Sequence, residues 1–304
     1  MGRAARNFRR LKEEVAGPEG GNAGAAYAGP VNSGRRVQLC KHGGVQPLRD
    51  GLLFGATALA GAVNAIAGGG TLLSFPAGLA WGLSSPVANA TNALAMCPGA
   101  LASAWAYRRE LGARRSLAAL LSVPTIVGAA VGAALMRRTP VRTFDAIVPV
   151  LVFAATLALL LQGFLTRRRR DNDAPAPPSR ARTAAIVAAQ LLVGVYGGYF
   201  GAAMGIVMLA LLSALPGDIH GRVAVKNALS AAANGVASIY FIAAGLIDAH
   251  AAVIMVPAAV VGGFAGGLAA RRASARVVRA AVVAIGLGVS ALLAYRALAS
   301  SRLL

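Results

Sequence analysis

Lys226 is the only acidic or basic residue placed inside what reads as an apolar span, and Asn227 stands beside it in the stretch RVAVKNALSAAANGV, with Asn234 further along. The other polar side chains set in apolar sequence are Asn64, Thr91 and Asn92. Two glycine-rich breaks accompany them: Gly68, Gly69 and Gly70 in NAIAGGGTLLSFP, and the run from Gly197 to Gly205, with Gly201 at its centre. Amide donors, one cation and backbone N–H groups freed at a broken helix end suit an oxyanion. They do not suit covalent chemistry. There is no H-E-x-x-H, no pair of carboxylates on a span, no G-x-S-x-G elbow, and the GGGT run is not followed by Lys as a phosphate-binding loop would be. These residues bind; they are not an enzyme's, and they imply no cofactor and no metal site.

The elements that must hold them are membrane helices. Hydrophobic residues make up 57% of the chain and charged ones only 13%, against about a quarter in soluble domains. Charge-free stretches run from Gly51 to Tyr107, Ser116 to Met136, Ala146 to Leu165, Thr183 to Leu215, Asn227 to Ile247, Ala251 to Ala270 and Ala280 to Tyr295. A span needs roughly 20 apolar residues. The first stretch is long enough for two, and the fourth, Thr183 to Leu215, for one span plus an extra re-entrant or unwound piece, so the expectation is an all-α polytopic protein of about eight transmembrane helices. The period-2 alternation of an outer-membrane barrel is absent.

A net charge of +20 does not point to nucleic acid, because nearly all of the 30 Lys and Arg residues fall between the apolar stretches. With the N-terminus inside, the basic residues divide 21 inside to 9 outside, which places both termini in the cytoplasm of a cell-membrane protein. The arginines from Arg271 to Arg279 go against that orientation. Residues 1–49 read as a disordered basic cytoplasmic tail, 50–166 as a first transmembrane repeat, 167–182 as a cytoplasmic linker of Pro and charge, and 183–304 as a second repeat. The tail does not read as a signal peptide, since no apolar h-region follows its basic start.

The repeat rests on matched landmarks. Gly128, Gly132, Arg137 and Arg138 recur at an offset of 134 as Gly262, Gly266, Arg271 and Arg272. ANATNALAM parallels RVAVKNALSA, placing Asn92 opposite Asn227, and GAVNAIAGGGTLL parallels VGVYGGYFGAAMGIVML. Each half then has four helices with the glycine break in the first, and four crossings per half make the repeats parallel. Glycine costs about 1 kcal/mol relative to Ala in a helix, and unwound backbone survives at membrane depth only where it is buried in protein or lines a cavity. The G-x-x-x-G glycines, Gly128, Gly132, Gly262 and Gly266, read as close helix packing; the two breaks read as the binding site.

NAIAGGGTLLSFPAGLAWGLSSPVANATNALA with the YRRELGARR loop, and GVYGGYFGAAMGIVML with AVKNALSAAANGVASIYFIAAGLID, resemble the TauE/SafE sulfite-exporter family over roughly Arg49 to Leu298. The resemblance implies an integral inner-membrane permease or exporter of small anions, sulfite, organosulfonates and related sulfur or carboxylate compounds among them, working by alternating access. Its partners are the anionic substrate and the lipid bilayer, with no nucleic acid, and a homo-oligomer is compatible with it. The substrate-binding set expected is Asn64, Gly68, Gly69, Gly70, Thr91, Asn92, Gly201, Lys226, Asn227 and Asn234. Two alternatives stay open at this stage. Lys226 either meets substrate or snorkels to the headgroups, and the chain as a whole is either a transporter or a non-transporting membrane scaffold.

Overall fold

The computed structural model describes residues 45–168, 180–215 and 217–270, all within one compact unit that begins at His42. The tail expected over 1–49 therefore lies outside the described residues up to position 44, as do most of the 167–182 linker and the last span, Ala280 to Tyr295. The described regular structure is helical throughout: α1 (Val45–Ile66), α2 (Thr71–Trp81), α3 (Ser85–Ala106), α4 (Arg108–Ala113), α5 (Arg115–Arg138), α6 (Val141–Arg168), α7 (Arg180–Tyr199), α8 (Met204–Leu212), α9 (Ile219–Ala243) and α10 (Ala249–Ala269). Three of these, α5, α7 and α10, are clearly long and apolar enough to cross a membrane by length and composition.

The bundle is turned inside out relative to a soluble protein. Large apolar side chains face outward, Leu192 at 69% and Val253 at 75% exposure among them, while Lys226, Asn227, Thr91 and Gln190 are fully buried. Continuous exposed apolar surface of this kind has lipid as its natural neighbour. Inside, small residues let backbones approach. A Cβ on Gly266 would lie 2.5 Å from Cα of Ala62, and one on Gly262 would collide with the carbonyl of Ala58, so α10 rides directly on α1. Gly128 and Gly132 press in the same way on Leu191, Val195 and Tyr199 of α7. The packing role expected for the four G-x-x-x-G glycines is thus what the backbone contacts show.

Helix starts follow capping chemistry at the second half's turns. Asp218 accepts from the Gly221 amide at 2.9 Å and Asp248 from the Ala251 amide at 2.8 Å, satisfying N–H groups that a helix start leaves free.

One expectation fails. The glycine break does not sit inside a single spanning helix, because α1 and α2 form a hairpin. At the open end of that hairpin a terminal guanidinium nitrogen of Arg49 donates to the carbonyls of Ala80 (3.3 Å) and Trp81 (2.8 Å), and the Trp81 indole N–H donates to Asp50 at 2.8 Å. Likewise Arg182, at the start of α7, donates to the carbonyl of Ala214 just beyond α8. The cause is length: α2 has 11 residues and α8 has 9, so at 1.5 Å per residue neither covers a bilayer core of about 30 Å. Each therefore returns from the break toward the end where its partner began.

The two hairpins open at opposite ends. The first opens where Asp50 meets His250 at 3.2 Å; the second opens where Arg114 meets Asp218 at 3.8 Å and Tyr107 stacks on His220. Helix α3, 22 residues long, leads from Ser85 beside the first end to Ala106 beside the second, and α9 leads back. Helices α1 and α7 thus start at opposite ends of the bundle, which does not match the parallel arrangement expected of the two halves.

Candidate functional site

The two breaks meet tip to tip. Gly68 has φ of +87° and Gly201 of +71°, left-handed conformations in which glycine is preferred, and Ala203 is also left-handed at 56°. A Cβ on Gly68 would lie 2.5 Å from the carbonyl carbon of Gly205, so glycine is needed there for space as well as for φ. Gly70 abuts the Ala60 carbonyl and the Asn64 side chain. Thr71, first residue of α2, pins the tips together: its hydroxyl oxygen accepts from the Ala203 amide at 2.9 Å and its hydroxyl donates to the Gly201 carbonyl at 3.4 Å. Phe75 packs edge-on against Phe200, ring centroids 5.2 Å apart.

Helices α3 and α9, packed against each other, supply the side chains around this junction. Lys226 is fully buried and its ammonium donates to the carbonyl of Asn64. The next residue, Asn227, donates through Nδ2 to the carbonyl of Ala65 at 3.3 Å. Both thus bind the last carbonyls of α1, where a helix end carries partial negative charge, and the Asn64 carbonyl also accepts from the Gly68 amide at 3.1 Å. Asn89 of α3 does the same for α7, donating to the Tyr199 carbonyl at 3.1 Å. Asn92 accepts from the Ser74 hydroxyl at 2.5 Å, tying α3 to α2. Asn64 and Asn234 each keep 6% of their surface accessible.

Of the residues expected from sequence, the fold brings Asn64, Gly68, Gly70, Gly201, Lys226 and Asn227 to the junction directly. Gly69 lies in the same break, and Asn92 reaches it through Ser74. Thr91 faces elsewhere. Its hydroxyl accepts from the Asp248 amide at 3.1 Å, fastening the α9–α10 turn at the Asp50 end. Sequence reasoning missed Thr71, Ser74 and Asn89. The signal for Thr71 was its place directly after the glycines, and for Asn89 its place in the same ANATNA stretch as Asn92.

The electrostatics of the junction turn on Lys226. The carboxylates in ion pairs among the described residues are Asp218 with Arg114 and Asp50 with His250, both at the bundle ends. Among the described residues Lys226 has no carboxylate beside it, and its ammonium donates to the Asn64 carbonyl alone. A buried cation without a countercharge is costly. Asn227 Oδ1 is likewise buried with no hydrogen-bond partner among the described residues. Among the described residues no three His, Cys, Asp or Glu side chains converge as metal ligands.

A family model described as "Sulfite exporter TauE/SafE" matches residues 53–293. The "Probable membrane transporter protein YfcA" of Escherichia coli (strain K12) is 35% identical over 161 residues, 53% of this chain and 58% of that protein. The "Probable membrane transporter protein" of Haemophilus influenzae is 26% identical over 212 residues, 69% of this chain and 81% of that one. The match therefore spans less than two thirds of the Escherichia coli protein's length. No solved structure matches.

Proposed function

This chain belongs to the sulfite exporter TauE/SafE family, and from that premise we propose that it is a multi-pass cell-membrane transporter of small anions, sulfite, organosulfonates or related sulfur and carboxylate compounds. The observation that carries the reading is Lys226. It is a fully buried lysine whose side-chain nitrogen is held on the carbonyl end of a broken helix, with no carboxylate beside it among the described residues. An anionic guest supplies the missing countercharge, and the Asn227 amide and the junction backbone surround it. A scaffold subunit has no use for an uncompensated buried charge at such a point.

The architecture that serves this function is an inverted repeat. Element starts recur at nearly one spacing: Thr71 and Met204 lie 133 apart, Ser85 and Ile219 lie 134 apart, and Arg115 and Ala249 also 134. Gly68 and Gly201, both left-handed, share the offset of 133. Packing is exchanged between halves, α1 on α10 and α5 on α7, α3 on α10 and α9 on α5. Because the two hairpins open at opposite ends, the pseudo-two-fold axis lies in the membrane plane and passes near the junction. Among the described residues the first half supplies a re-entrant hairpin followed by α3, α5 and α6, and the second a re-entrant hairpin followed by α9 and α10. Alternating access then loosens one hairpin mouth at a time, the Asp50–His250 contact closing one and the Arg114–Asp218 contact the other.

Uptake of labelled sulfite or an organosulfonate into proteoliposomes tests the reading. A charge-assisted hydrogen bond is worth on the order of 1.5 to 3 kcal/mol, so Lys226→Met should weaken apparent affinity by roughly one to two decades, with Lys226→Arg recovering part of the loss. Unchanged transport by correctly inserted Lys226→Met protein would overturn the site.

A further inference from the structure

We infer that the anion this site accepts carries a hydrogen-bond donor of its own: a singly charged oxyanion that retains an O–H, or a small acid bearing a hydroxyl. The inference rests on the anion-site reading above and adds a second requirement to it. Lys226 and Asn227 bind consecutive carbonyls at the end of α1, those of Asn64 and Ala65, so their polar heads lie about one peptide unit apart. The two heads offer opposite chemistry. The ammonium has only donors, and negative charge satisfies it. The free atom of Asn227 is an acceptor.

That assignment is forced by the Ala65 carbonyl, which can only accept. The amide nitrogen of Asn227 must face it at 3.3 Å, leaving Oδ1 turned away. Oδ1 is completely buried and has no hydrogen-bond donor among the described residues. Leaving a buried acceptor unpaired costs about as much as a hydrogen bond gains. A guest with acceptors alone satisfies Lys226 and leaves Oδ1 unpaired, whereas a guest with one ionised oxygen and one O–H satisfies both. Sites that present a polar group to a substrate hydroxyl discriminate strongly against analogues lacking it.

Two pairs of probes separate these cases at pH 7.5, where none of the four changes its main charge state. Hydrogencarbonate and nitrate are planar trioxo anions of similar size, of which only the first has an O–H; glycolate and acetate differ by a hydroxyl. Binding is measured by calorimetry on the purified full chain in nanodiscs, with Lys226→Met as the reference for site occupancy. The expected result is that the O–H-bearing member of each pair binds about tenfold more tightly or better, and that Asn227→Leu levels the two members. Equal affinity within both pairs, lost in Lys226→Met, would overturn the donor requirement and leave the anion site standing. No Lys226-dependent binding of any of the four would overturn both. Should Asn227→Leu fail to fold, the comparison on the unaltered chain decides alone.

Discussion

At the scale of single residues, the junction is held by hydrogen bonds that have no substitutes nearby. Thr71 is a clear case, because its hydroxyl answers the Ala203 amide of the opposite hairpin and the Gly201 carbonyl together. Thr71→Val keeps the shape and removes both bonds, leaving a buried N–H unpaired. A loss of about 1 to 3 kcal/mol is expected, seen as a lower midpoint in thermal unfolding of the detergent-solubilised protein, whereas Thr71→Ser should be close to neutral. Asp218 makes a pH-dependent contribution. The Gly221 backbone N–H, aided by Arg114 and His220 and opposed by slight burial, holds its carboxyl below the ordinary carboxylate range. A depressed folded-state pKa stabilises above the unfolded value and is lost as pH falls through the folded one. Lowering pH from about 5 into the carboxylate range should therefore narrow the stability gap between parent and Asp218→Ala, while above about pH 5 the gap holds. A gap that stays constant on acidification would remove Asp218 from the ion-pair role.

At the scale of helices, the contrast is between glycines that make room and glycines that do not. A Cβ at Gly262 strikes the Ala58 carbonyl and one at Gly128 strikes the Leu191 carbonyl, and backbone cannot swing aside as a side chain can. Gly262→Leu and Gly128→Leu should each cost roughly 1 to 3 kcal/mol or more and lower the amount of folded protein recovered. Gly55, on the exposed face of α1, has nothing within 4 Å of a Cβ. Gly55→Ala should be stabilising by up to about 1 kcal/mol through helix propensity. Size-exclusion yield and thermal midpoint of the three variants, measured side by side, check the distinction; equal behaviour would mean that the α1–α10 and α5–α7 seams are not tight.

For the whole molecule, opposite hairpin mouths have a consequence for orientation. The sequence segments 108–115, 167–182 and 271–279 together carry 14 Lys and Arg residues, and the described helix ends they border lie on the Asp218 side. The Asp50 side has Arg49, Arg137, Arg138 and Arg142 close to its helix ends. Under the positive-inside rule the expected outcome is an Asp218 side that faces the cytoplasm. Reporter fusions in the 167–182 linker should give a cytoplasmic signal and fusions near Thr139 a periplasmic one. Matching signals from both sites would refute an inverted arrangement.

The sequence by itself determined the class, the helices, the family and most of the junction residues, because each of these is written in local composition or in short-range spacing. Long charge-free runs demand helices in lipid; glycines four apart announce close seams; Lys226 is conspicuous as a charge among apolar neighbours. Tertiary structure alone decided what the glycine breaks do. A break in a span and the tip of a hairpin have the same local sequence, and the difference lies in where α2 ends, which Arg49 and Asp50 fix from more than thirty residues away. That one fact, with its counterpart at Arg182 and Ala214, leaves the two hairpins opening at opposite ends of the bundle. Long-range contact also separated Thr91, committed to the Asp248 amide, from Asn227, whose acceptor stays free. Both are polar residues in similar apolar sequence, and only their partners on distant helices tell them apart.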